Sequence, residues 1–338
     1  MKTRAILCHQ RGDRTVQCVL CAHRCRIVED AFGFCGVRQN IGGTLFTHVY
    51  GYPIALQDDP IEKKPLYHFL PGSRSFSIAT VGCNFQCGFC QNWQISQTNT
   101  RGGHTAASRK ILPEEVVNLA RERGCQNIAY TYTEPTVFFE YARDIGVLAR
   151  RAGLKNLFVT NGYLTGEARD ELVPFLDAAN VDLKSFRDEY YREICRGRLE
   201  PVLETIRDLH RRGIWVEVTT LIVPGENDSD GELGDIASFL VSVSPDIPWH
   251  ISAFHPDYRF TVHKRTPAEK ILRAQEIGHE RGLRFIYPGN ISGSADTRCP
   301  VCGRRVIRRS GFTAEAVALA RGGVCGQCGA RLNGVWEE

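Results

Sequence analysis

The stretch VGCNFQCGFCQNW, from Val81 to Trp93, sets Cys83, Cys87 and Cys90 in a C-x3-C-x2-C spacing. Thiols this close on one loop can converge on one inorganic centre, and in a reducing compartment they read as metal ligands rather than disulfides. Iron–sulfur cubes are held by cysteine thiolates, usually four of them. Three thiolates leave one iron with an open position that a small molecule can occupy. The alternative is a complete four-cysteine electron carrier that borrows Cys125 or Cys8. Cys125, however, precedes a predicted strand, at the opposite end of the sheet from the loop.

Two further groups bring the clustered cysteines to eleven of the fourteen in the chain. Cys18, Cys21, Cys25 and Cys35 follow a C-x2-C-x3-C-x9-C pattern. Four thiolates there close a tetrahedral zinc site or satisfy all four irons of a second cube, and the spacing leaves both open. His23 reads as a solvated loop histidine. Cys299 and Cys302 in CPVCG, with Cys325 and Cys328 in CGQCG, form two knuckles in which a glycine permits the tight turn. This pattern predicts zinc.

The elements that must position these thiols are legible between the second and third clusters. Strand candidates lie in SFSIATVGC, NIAYTYTEP, LKNLFVTNG, ANVDLKSF, IWVEVTTLIVPG, PWHISAFHP and RFIYPGN, with helical patterns between them. That alternation predicts an α/β fold with a parallel sheet or barrel. Polar and glycine-rich residues gather after each strand, at the end where such folds build active sites, and the cysteine loop follows the first strand.

Composition sets bounds on the rest. The chain has 338 residues, 43% hydrophobic and 24% charged, with a formal charge of +4. This surplus is too small to imply nucleic acid by itself. No apolar run approaches the ~18 residues of a membrane span, and the start, MKTRAILCHQRGDRT, lacks the apolar stretch of a secretory signal. A cytoplasmic protein without membrane association is expected.

The three-cysteine loop, with Phe89 before its last cysteine and a strand before its first, resembles the radical SAM superfamily. The resemblance implies a [4Fe–4S] cluster on Cys83, Cys87 and Cys90, with S-adenosylmethionine (SAM) chelating the open iron. It implies one-electron cleavage of SAM to a 5′-deoxyadenosyl radical. Thr133, Glu134 and Pro135 match the turn that holds the SAM amino group. Asp182 and Lys184 in VDLKS match a segment of the glycyl-radical-enzyme activases that lies near SAM. Asn161 falls at the ribose position, and His255 in SAFHPDY near the nucleoside. Val159 stands where the activases carry an acid beside a cation, so their cation site is not expected.

The run CVLCAHRCRIVEDAFGFCGVRQN, with DDPIEKKPLYHFLPGS after it, is similar to the radical SAM enzyme of the AmmeMemoRadiSam system, related to the pyruvate formate-lyase activating enzymes. The similarity spans roughly residues 15 to 293. It implies a partial parallel (β/α) radical SAM barrel over 73–293. An N-terminal Cys-rich metal-binding extension and linker would occupy 1–72, and a zinc-ribbon-like module 294–338. It also implies a flavodoxin or ferredoxin reductant and Memo-type and AMMECR-type partners. The expected reaction is hydrogen abstraction from a protein or RNA; a small-molecule radical enzyme and a non-catalytic metal scaffold for partner proteins are the alternatives. Lys63 and Lys64 read as a solvated charge pair. Arg304, Arg305, Arg308 and Arg309 form a basic patch that suits either ribbon surface or nucleic acid.

Overall fold

The computed structural model describes residues 2–100 and 109–336. Its centre is one eight-stranded sheet. The strands are β1 (Ala55–Pro60), β2 (Arg74–Ala79), β3 (Asn127–Tyr130), β4 (Lys155–Thr160), β5 (Ala178–Asp182), β6 (Trp215–Ile222), β7 (Trp249–Ala253) and β8 (Ile286–Gly289). They lie side by side in chain order, β2 to β8 all parallel. The seven strands expected from the sequence are β2 to β8. β1 was not anticipated: it runs antiparallel to β2, pairing Ala55 with Ala79 and Pro60 with Arg74. The sheet is open, since β1 and β8 do not pair with each other.

Between successive parallel strands lie α1 (Pro113–Glu122), α2 (Phe139–Arg151), α3 (Gly166–Leu172), α4 (Glu200–Arg211), α5 (Asp230–Val243) and α6 (Ala268–Glu280). Their starts follow local chemistry. Thr165 accepts a hydrogen bond from Ala168 N at 3.1 Å and Ser229 one from Glu232 N at 3.3 Å, each satisfying an orphan donor of the first turn. Proline opens α1 and α4, where its missing N–H costs nothing. Helices and sheet share one buried core.

The N-terminal region folds as two small three-stranded antiparallel sheets. It packs beside the ends of the strands that carry the cysteine loop. Cys21 bridges to Leu164, just beyond β4, and Thr165 Oγ1 donates to Val19 O at 2.6 Å. Arg38 and Glu140 form an ion pair with both side chains buried.

The C-terminal segment forms a hairpin, Arg305–Ser310 with Thr313–Ala316, and a second small two-stranded sheet. It is not free-standing. Val306, Ile307, Cys299, Cys325 and Leu332 share an apolar cluster with Tyr67, Phe285 and Tyr287. Phe312, Thr313 and Ala314 line a surface pocket together with Asp58, Asp59 and Pro60 of β1. The segment therefore reaches both edges of the open sheet at its base. Ending the chain at Gly293 uncovers these aromatics, and we expect a loss on the order of 5 kcal/mol of stability. Urea unfolding of the truncated and full chains measures this; matching midpoints would mean that the contact is superficial.

Of the basic patch, only Arg309 enters these contacts, while Arg305 and Arg308 pair at the surface of the segment itself. Arg305 pairs with Asp296 and Arg308 with Glu315. Arg309 is buried, donates to Tyr67 O and Thr297 Oγ1 at 2.7 Å each, and stacks on the Tyr67 ring at 4.2 Å.

Candidate active site

The loop after β2 brings Cys83, Cys87 and Cys90 to the wall of a cavity of about 500 Å³ at the C-terminal ends of the parallel strands. Gly82 makes the sharp entry possible. Its φ is +98°, and a Cβ there would stand 2.7 Å from Val37 Cγ1. Phe85 N donates to Cys83 Sγ at 3.3 Å, and Ser96 Oγ lies 3.1 Å from Cys90 Sγ. Burial pushes the Cys83 and Cys90 thiols up. They become thiolates only with a compensating cation beside them, as a cluster's irons supply.

Five of the seven residues matched to SAM contacts line this cavity: Thr133, Glu134, Asn161, Asp182 and Lys184, while Pro135 does not. Glu134, 2% exposed, follows β3 and is braced by its own loops. Its Oε1 accepts from Thr136 N at 3.1 Å and Thr160 Oγ1 at 2.7 Å, while Oε2 accepts only from Asn161 N, at 2.8 Å. Oε2 therefore keeps acceptor capacity. Thr133 Oγ1 donates to Thr80 O at 2.8 Å. Asn161 Nδ2 donates to Asn84 Oδ1 at 2.7 Å and so steadies the loop beside Cys83. Lys184 Nζ pairs with Asp182 at 3.0 Å and lies 5.6 Å from the Phe89 ring centroid. Burial works against its ammonium, but Asp182 beside it raises its pKa well above the ordinary lysine value. The structure does not bring His255 to the cavity; it is exposed on the segment after β7.

Other residues complete the wall. Ser252, at the end of β7, and Asn290, just past β8, line it too. Both lie in strand-end segments, which was the signal available. Lys63 also lines the cavity. The solvated-pair reading holds for Lys63, which stays exposed, and is corrected for Lys64: both reach Asp59, at 2.8 and 2.7 Å, but Lys64 is 1% exposed. Asp59 sits four and five residues before them, on the β1 strand that was read as linker. Burial draws the Lys64 pKa down to about 8 despite that partner.

Cys195 was missed altogether. It ends the helical turn Tyr191–Cys195, is fully buried, and hydrogen-bonds the Cys87 thiol, which holds Cys87 below its ordinary pKa although burial opposes this. As a lone cysteine outside every motif it gave no signal. It stands nearer the loop than Cys125, which lies before β3 against Asp58, or Cys8, in the N-terminal sheet.

The C-terminal knuckles also converge. Cys299 Sγ lies 3.6 Å from Cys328 Sγ, Cys302 Sγ lies 3.7 Å from Cys325 Sγ, and all four fall within 4.8 Å of one another. A tetrahedron of Zn–S bonds of about 2.3 Å has edges of about 3.8 Å, so the donor set fits a zinc-sized ion. The N-terminal cysteines line a separate enclosed cavity.

Residues 77–240 match the radical SAM superfamily. The chain is 42% identical over 330 residues to an uncharacterized protein of Methanocaldococcus jannaschii, covering 96% of this chain and 97% of that one. A putative glycyl-radical enzyme activating enzyme of the same organism is 25% identical over 244 residues, covering 70% of this chain and 86% of that one. The fold is that of a radical SAM methyltransferase from Sphaerobacter thermophilus, with a TM-score of 0.50 at 20% identity, covering 65% of this chain and 67% of that one. The chain belongs to the radical SAM superfamily and is an enzyme of that class, related to activating enzymes. Family membership implies a [4Fe–4S] cluster and SAM.

Proposed function

We propose that this enzyme holds a [4Fe–4S] cluster on Cys83, Cys87 and Cys90 and uses it to start hydrogen abstraction from a protein or peptide substrate. The observation that carries the reading is one cavity lined by the three thiols of a single loop together with Glu134, Asn161, Asp182 and Lys184. When bound, the cluster supplies one electron to SAM, whose sulfonium–C5′ bond then breaks to give methionine and a 5′-deoxyadenosyl radical. Glu134 Oε2 accepts from the amino group of SAM. Thr133 belongs to the same amino-group turn, Asn161 positions the ribose, and the Asp182–Lys184 pair orients nearby polar groups of SAM. His255 joins the nucleoside only by turning in from its exposed segment. The apolar face of Phe89 and the buried core behind the loop keep water from the reacting carbon.

A cavity of about 500 Å³ is of ordinary cofactor size, and SAM fills most of it. The substrate therefore arrives at the mouth, which favours a polypeptide segment over a small molecule wholly enclosed. RNA is the second reading: of the four ribbon arginines only Arg309 is buried, while Arg305 and Arg308 pair at the surface.

The similarity of the cysteine-rich N-terminal run supports a place in the AmmeMemoRadiSam system, with Memo-type and AMMECR-type proteins as partners. A flavodoxin or ferredoxin in the cytoplasm supplies the electron. The C-terminal four cysteines hold zinc.

Incubating the anaerobic, reduced protein with SAM tests the reading: 5′-deoxyadenosine should form. Its absence from a preparation carrying the cluster would favour the scaffold alternative. Asp182→Ala or Lys184→Ala should leave the cluster in place and weaken SAM binding about 10- to 100-fold, the range for one charged hydrogen bond. Calorimetric titration with SAM reads this; unchanged affinity in both variants would make the pair purely structural.

A further inference from the structure

We infer that Cys18, Cys21, Cys25 and Cys35 hold a second [4Fe–4S] cluster rather than zinc. The C-terminal site provides the standard for zinc within the same molecule. Its four sulfurs have already drawn together as a tetrahedral ion requires. Among the described residues no other group of three or more cysteine, histidine or acidic side chains brings its ligand atoms within 4.8 Å of one another. The N-terminal four share this looser arrangement with Cys83, Cys87 and Cys90. Sulfurs on a single zinc stand about 3.8 Å apart. Sulfurs on separate irons of a cube stand about 6 Å apart.

All four cysteines line one cavity of about 20 Å³.

The lining supplies what a cube's sulfurs accept. Arg38 and Asn84 both face this cavity, and they are 1% and 0% exposed. Arg38 Nη1 already donates to Cys18 Sγ at 3.4 Å, and Phe34 N donates to Cys25 Sγ at 3.4 Å. Two further donors, Arg38 Nε and Asn84 Nδ2, are buried with no partner. A buried N–H left unpaired is costly. Bridging sulfides in a cube offer acceptors beyond the four thiolates, whereas a tetrathiolate zinc offers the thiolates alone. Arg38 is already paired in charge with buried Glu140, so what it brings to this cavity is its N–H donors.

Asn84 directly follows Cys83, so the two cysteine sites are joined by one residue. His23 Nε2, 2.7 Å from Asn84 O, ties the cysteine-rich run to the same point. Two reduced cubes this close should couple magnetically.

The test uses the full chain, reconstituted anaerobically with iron and sulfide and then depleted of loose metal. The inference expects about eight irons, eight sulfides and one zinc per chain. A Cys83→Ala/Cys87→Ala/Cys90→Ala variant should keep about four irons, with an EPR signal that ignores SAM. A Cys18→Ala/Cys35→Ala variant should keep about four irons whose signal responds to SAM. The reduced wild type should show a broadened, coupled spectrum that neither variant shows. If the Cys18/Cys35 variant does not fold, the wild-type count and the loop variant decide the matter. A wild type with about four SAM-responsive irons and two zincs overturns this inference and leaves the reading of the Cys83 loop intact. Eight irons of which none responds to SAM would support the second cluster and overturn that reading instead.

Discussion

Alanine at Cys83, Cys87 or Cys90 is expected to abolish 5′-deoxyadenosine formation, a loss of at least about 1,000-fold, or some 4 kcal/mol of barrier. Losing any one thiolate leaves two irons of the cube without a protein ligand, and the loop has no spare donor in sequence. The informative control is Cys195→Ala. Cys195 touches Cys87 and is the buried thiol best placed to act as a fourth ligand. If the open iron belongs to SAM, this variant assembles the cluster, and adding SAM still changes the EPR signal of the reduced protein. If Cys195 were the fourth ligand, the wild-type signal would be indifferent to SAM and the variant would assemble poorly. That result would end the radical mechanism.

The second large effect concerns stability and lies at the opposite end of the sheet. Glu217, fully buried on β6, accepts from Tyr67 N at 2.9 Å, His68 N at 2.7 Å, Trp215 Nε1 at 3.0 Å and His250 Nε2 at 2.6 Å. Those bonds hold the segment between β1 and β2 under the sheet. Glu217→Ala strands four buried donors at once, and we expect it to cost about 3–5 kcal/mol. His68 adds a pH dependence. Its Nδ1 donates to Asn333 O at 2.9 Å and its Nε2 accepts from Tyr287 OH at 2.6 Å, the tautomer these partners require. Burial lowers its pKa to about 4.

Between pH ~6.5 and ~4 the unfolded chain binds a proton at His68 that the folded chain does not. Stability therefore falls as the pH drops through that window, by up to about 3 kcal/mol. Glu217 acts in the same direction at lower pH. Burial raises its carboxyl but the His250 bond wins, leaving it below its ordinary value, so its contribution is present above the unfolded carboxylate range and lost in acid. Thermal melts of wild type and His68→Phe across this range should diverge as pH falls. Parallel curves would show that His68 is not the group responsible.

Much of this molecule is written in local pattern. Each parallel strand is a short β-branched run followed by polar residues, and four of the six helices carry a local start signal, a capping Thr165 or Ser229 or a first-turn proline. The three-thiol loop needs only an eight-residue window, Cys83 to Cys90. What escaped depends on partners distant in the chain. β1 reads as linker because ALQDDP has acids and a proline instead of alternation; it becomes a strand only against β2, and Asp59 within it turns Lys64 inward. Cys195 meets Cys87 across more than one hundred residues, beyond any spacing rule. Arg309 looked like ribbon surface because nothing nearby in sequence announces Tyr67 as its partner. His255 failed to reach the cavity for the converse reason: a motif fixes residue types, while the direction of a side chain depends on how its loop settles.

The C-terminal hairpin touches β8 through the Tyr67, Phe285 and Tyr287 cluster and β1 through Phe312 to Ala314. Because the sheet is open, these contacts act as a clasp across its two free margins. If Cys299, Cys302, Cys325 and Cys328 hold an ion, removing it should loosen the hairpin and with it this clasp, lowering the midpoint of urea unfolding without touching the Cys83 loop.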